Sequence, residues 1–225
     1  MTDTDDPRIH TEEIHDSAQQ AVEQEQEIDI REKVRDITLN ALTQRTLDAE
    51  SIKAVVGAVA EGSRIGAAAH GERMGEALKE AVKGLDDALT KAAEATKLAI
   101  EEAAGRAGDF SQQELKRSMS DLGDLEKIYI DTLTDIAKNG TDRAAEILGD
   151  LATHARNSGT AVGDQVVSAL AELQRFVQQT GKARLEAGVE TVRTTGAQIV
   201  QIASGILAGI ADSLQPPKKT KPGDE

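Results

Sequence analysis

The chain has 225 residues, no cysteine, two Phe, one Tyr, no Trp and a formal net charge of -14. Without cysteine, disulfides and thiolate metal sites are excluded and a reducing compartment is indicated. Its apolar residues include 34 alanines and almost no aromatics, so the large packing units of an ordinary globular core are missing and narrow apolar stripes on helices are expected instead.

From the N-terminus, residues 1–28 read as an acidic flexible arm. Met1 to Glu32 carries eleven acidic residues against Arg8 and Arg31, which is -9 of the total -14, and the segment is Glu- and Gln-rich with no sustained apolar period. No apolar h-region follows the start, so no signal peptide is expected and a cytoplasmic location is. Between Pro7 and Pro216 there is no proline. That long run, rich in Ala, Glu, Lys, Gln and Leu, predicts an all-α domain over residues 29–214, with long amphipathic helices forming an elongated hairpin or bundle. QPPKKTKPGDE, residues 215–225, stops the last helix and reads as a disordered tail.

Turn and cap signals divide the helical part into segments near 29–46, 49–108, 111–138, 141–157 and 160–214. Asp48 or Ser51 can cap the second, Ser111 with Glu114 resembles a capping box, Asn139-Gly140 ends one helix, and Asn157-Ser158-Gly159-Thr160 is a turn. Within the second segment, GAVAEGSRIGAAAHGERMGEA (residues 57–77) spends glycine every four or five residues, at about 1 kcal/mol per site relative to alanine. Either another backbone approaches closely there, or the helix is loosened or broken near His70-Gly71. The final stretch GAQIVQIASGILAGIADSL, residues 196–214, has nearly the length of a membrane span. Gln198, Gln201, Ser204 and Asp212 argue instead for a helix docked on others or lying at an interface.

Cut in elevens from Ala77, the chain reads ALKEAVKGLDD, ALTKAAEATKL and AIEEAAGRAGD, and DLGDLEKIYID with TLTDIAKNGTD falls in the same register. The register persists without insertion over about residues 77–208. Eleven residues make three turns at about 3.67 residues per turn, so an apolar stripe stays nearly flat along one side. Its members are Leu78, Val82, Leu85, Leu89, Ile100, Leu122, Leu125, Leu133, Ile136, Val166, Leu170, Leu173, Val177, Ile199, Ile202 and Ile206, and these form the candidate contact surface. Paired carboxylates such as Asp86-Asp87 and Glu101-Glu102 fall on the opposite, solvated face.

No chemistry-bearing constellation accompanies the stripe. His10, His15, His70 and His154 have no metal-ligand spacing, Gly181-Lys182 lacks the rest of a phosphate loop, and Lys218, Lys219 and Lys221 stand on an acidic body without aromatic platforms. No cofactor, metal, nucleic-acid partner or enzymatic activity is expected. The quoted units resemble the eleven-residue repeats of apolipoproteins and late-embryogenesis-abundant proteins, and the whole resembles the phasins. That resemblance implies a non-enzymatic coat on a hydrophobic surface: a polyhydroxyalkanoate granule, a lipid droplet or a membrane interface. The alternative is a helical scaffold, a homo-oligomer or coiled-coil assembly that binds partner helices through the same stripe.

Overall fold

A computed structural model of the chain describes residues 7–24, 27–105, 112–187 and 199–214; the expected tail at 215–225 and the cap at Ser111 lie outside them. The described residues are helical throughout apart from short joints: α1 (Pro7–Gln24), α2 (Glu27–Thr43), α3 (Ala49–Ala67), a 3-10 turn (Ala68–Arg73), α4 (Met74–Gly105), α5 (Gln112–Gly123), α6 (Leu125–Asn139), α7 (Arg143–Ser158), α8 (Ala161–Ala187) and α9 (Ile199–Leu214). The fold is an all-α bundle.

Local chemistry places the joints. Asp48 caps α3 by accepting the Ser51 N–H at 2.8 Å, and Asp142 caps α7 by accepting the Ala145 N–H at 2.8 Å, each satisfying a donor that the first turn leaves orphaned. Gly159 ends α7 with φ of 81°, a left-handed value that glycine adopts without cost. The helix expected over 49–108 is divided: Gly71, at φ 58° and ψ -115°, interrupts it between α3 and α4. The break foreseen at His70-Gly71 is therefore real.

Two helical hairpins are laid one on the other. In the first, α1 and α2 turn back so that His10 meets Gln44 at 2.8 Å. In the second, α3 and α4 turn back so that Ile52 lines one small cavity with Ala92 and Thr96. The hairpins stack in parallel, α1 along α3 and α2 along α4. Gly62 and Gly66 of α3 lie against the backbone carbonyls of His15 and Gln19, and Gly84 of α4 against that of Arg31, so close that a Cβ at any of the three would collide with the carbonyl oxygen. The bidentate Arg31–Asp87 ion pair (2.6 and 2.9 Å) fixes the second of these registers.

This corrects the reading of an acidic flexible arm over residues 7–24; residues 1–6 lie outside the described residues. Ile14, Ala18 and Val22 of α1 are buried, every fourth residue, which is the line one helix presents to another. The outer residues keep the acidic charge. Close approach through glycine also resolves the cost noted above: backbone-to-backbone contact at 62 and 66 gains dispersion and Cα–H···O contacts that a larger side chain would prevent.

Of the remaining helices α5, α7, α8 and α9 pack on α4, and α6 packs mainly on α3 and α7. A third antiparallel pair, α6 and α7, is bridged by Arg156 to Asp131 at 3.4 Å and Thr134 at 3.2 Å. The Tyr129 hydroxyl of α6, buried, donates to the Val82 carbonyl of α4 at 2.8 Å, as a buried phenol requires. From Ala161 onward α8 runs parallel to α4, and α9 returns antiparallel to α2, where the Ser204 hydroxyl donates to the Arg45 carbonyl at 2.7 Å. Enclosed in this way, α4 buries Ala77, Ala81, Ala88, Ala92, Ala93, Ala95, Ala99 and Ala103 together with Leu78, Leu85, Leu89 and Ile100. Alanine is thus core material here, because small side chains let several neighbours reach a central helix at once.

Candidate functional site

The stripe residues come together, but they face inward. Leu78, Leu85, Leu89, Ile100, Leu122, Leu125, Leu133, Val166, Leu173 and Ile199 are buried in one continuous core, and Val82, Ile136, Leu170, Ile202 and Ile206 pack half-buried at its margin. The side chain of Val177 lies outside the described residues. The eleven-residue period therefore marks the side of each helix that meets the chain's own helices. The sequence pattern located the line and did not reveal its occupant.

What the bundle presents outward is charge on most helices and something different on α9. Among the described helices α9 is the one without Lys or Arg, and Asp212 is its single acid. Ile199, Ala203 and Leu207 bury one side. The opposite side carries Gln201, Gly205 and Gly209, exposed, and a Cβ added at either glycine would meet nothing within 4 Å. The cleft between α2 and α9, lined by Asp36, Asn40, Thr43, Ala208 and Asp212, has about 70 Å³, space for a few waters rather than the several hundred Å³ of a small-molecule pocket. No group of three His, Cys, Asp or Glu that could hold a metal ion occurs among the described residues. No described helix is long and apolar enough to cross a membrane.

One polar cluster departs from the expected solvated face. The repeat phase sets Asp86 on the solvated face with Asp87; in the structure it is half-buried, and its two carboxylate oxygens accept the N–H groups of Ala161 and Val162 at the start of α8, both at 2.9 Å. Beside it Glu126 of α6 accepts the Thr160 hydroxyl at 2.8 Å, and Thr160 in turn caps α8 by accepting the Gly163 N–H at 2.9 Å. Gly163 leaves room for the Glu126 carboxylate, which a Cβ there would strike. Burial pushes the Asp86 carboxyl above its ordinary range, the two backbone N–H groups oppose this, and the charges of Asp87 and Glu126 add to the rise. Asp87 itself is taken up by Arg31. The repeat phase could not have exposed this, because the partners are a helix terminus 75 residues away and a carboxylate on another helix.

Other ion pairs tie the wrap to the centre. Arg64 of α3 bridges Glu61 and the capping Asp142 of α7, and Lys97 of α4 pairs with Glu172 of α8. The Arg64 guanidinium is driven further upward chiefly by its bond to Glu61. The Asp142 carboxyl is drawn below its ordinary range first by the Ala145 N–H, consistent with a capping carboxylate at a helix N-terminus.

No curated protein and no solved structure matches the chain. A family match covers residues 4–216, which takes in both hairpins and every helix around them, and the chain belongs to that family of unknown function, DUF6781.

Proposed function

We propose that this chain is a non-enzymatic, phasin-like coat protein, held as a closed bundle in the cytoplasm, that opens to lay its inward apolar faces on a polyhydroxyalkanoate granule, lipid droplet or membrane interface. The observation that carries the reading is the division of most helices into an apolar side gathered in one core and a charged side turned to water. A leucine gains about 1.5–3 kcal/mol by leaving water whether it meets another helix or an oil surface. Closed and adsorbed states therefore bury the same residues, and the exchange costs mainly the helix-to-helix contacts. Glycine joints at Gly71 and Gly159 are places where helices can reorient without breaking. The net charge of -14 keeps coated particles apart and disfavours strongly anionic bilayers, so an uncharged surface suits the chain best.

A second reading has its own support. The stripe is already matched by helices, which is how a helical scaffold or oligomer would use it, in trans as well as within one chain.

The two separate in one experiment with full-length protein, mixed with triolein emulsion, polyhydroxybutyrate particles or buffer and followed by flotation or sedimentation and by light scattering. The coat reading expects capture by both uncharged surfaces. Ile206→Asp, at the half-buried margin, should lower capture at least fivefold while helicity is kept, and Glu80→Lys should leave it unchanged. A folded protein of defined oligomeric mass that ignores both surfaces would overturn the coat in favour of the scaffold.

A further inference from the structure

We propose that the α7–α8 joint is a polar latch, and that its release, with α8 swinging off α4 about Gly159, is the first opening step of the bundle. The inference rests on the coat reading for its purpose and on the joint's own geometry for its substance.

At its start α8 is held by groups from two other helices. Asp86 of α4 accepts two consecutive backbone N–H groups, and Glu126 of α6 accepts the hydroxyl of Thr160, whose own oxygen closes the first turn of α8. A carboxylate at a helix N-terminus complements the positive end of the dipole and satisfies N–H groups that no residue of the helix can reach. Here the carboxylates come from outside, so the capping bonds are also the bonds that dock the helix. Immediately before them stands Gly159, whose φ of 81° and extended ψ of 172° already turn the chain.

The same cluster makes release inexpensive. Asp86, Asp87 and Glu126 are three carboxylates in one neighbourhood; Arg31 bonds to Asp87 and its charge also reaches Asp86, which otherwise faces Asp87, Glu126, Tyr129 and the amides of α8. The two carboxylate oxygens of Asp86 are taken up by the Ala161 and Val162 N–H groups. Its carboxyl lies above the ordinary range because burial outweighs the two amides, so the fold favours its neutral form over its ionised one more than the unfolded chain does. By linkage, the stability it contributes is complete below the unfolded carboxyl range and is lost as pH rises through its folded value. Past the latch, α8 is attached by Val162, Val166, Ala169 and Leu173 on one side and by the Lys97–Glu172 pair, while Val167 on the other side is 70 % exposed. By contrast α3 and α4 are locked to the first hairpin through backbone contact at three glycines.

Hydrogen–deuterium exchange on the full chain, without any particle, tests the latch directly. Asp86→Ala with Glu126→Ala should raise exchange across residues 161–173 at least tenfold and leave 49–67 within twofold of the parent. Uniform acceleration of every helix, or no change in α8, would overturn the proposal. Should the double variant fail to fold, Glu126→Ala alone, which removes the acceptor of the Thr160 hydroxyl, must still raise exchange selectively over 161–173 for the latch to stand. A second arm uses triolein emulsion. Bridging Lys97→Cys to Glu172→Cys with a short bismaleimide, clean in a chain without cysteine, should abolish capture, and the latch variant should shorten its half-time. Selective opening of α8 with no capture by any form would leave the latch intact and sink the coat.

Discussion

Gly62 and Gly66 of α3 and Gly205 and Gly209 of α9 are the same signature, two glycines four apart in an apolar helix, in opposite surroundings. In α3 they are the floor of a contact in which the carbonyls of His15 and Gln19 stand where a Cβ would be; in α9 they face outward with no heavy atom within 4 Å. Spacing alone therefore does not identify an interface. What distinguishes the two is a partner helix with its own four-residue apolar line, and α1 supplies it with Ile14, Ala18 and Val22.

Substitution can break this contrast. The largest effect belongs to Gly62→Val with Gly66→Val, which drives side chains into a backbone that cannot withdraw without lifting α1; overpacking costs about 1–3 kcal/mol per site. Urea denaturation should show a lower midpoint, with exchange rising first over residues 7–24. Gly84→Ala, against the Arg31 carbonyl, should cost about 1–2 kcal/mol by the same argument, read as a fall in melting temperature. The smallest effect has the other sign. Gly205→Ala should stabilise by about 0.5–1 kcal/mol, the helix propensity that glycine forgoes, and a measured loss there would show that the outer side of α9 is covered after all.

The contrast also measures how much was legible beforehand. Some helix limits followed from local chemistry, so the cap at Asp48, the ends at Asn139 and Ser158 and the break at Gly71 could be read from residue types, whereas the division of the helix expected over 111–138 into α5 and α6 at Asp124 could not. The identity of the buried line was readable too, since Leu78, Leu89, Ile100, Leu122 and Leu133 recur in phase and all are buried. Three things were hidden because they depend on distant segments. The acidic charge of residues 7–24 masked a helix whose packing side is only Ile14, Ala18 and Val22. The alanines of α4, discounted for their small area, become core once several helices surround them. Asp86, in phase with solvent, is claimed by the first turn of α8. Periodicity reports that a side is apolar or polar on average; which neighbour meets it is set by topology.

Because the two hairpins stack in parallel, α1 and α2 find their seats on residues 62–66 and 84–87, which leave the ribosome later. Helices α1 and α2 are thus made before the groove that receives them, and long-separation contacts of this kind close slowly. The charge that disguised α1 as a tail lies on the outer side of a helix whose glycine-lined seat is supplied by chain made after it.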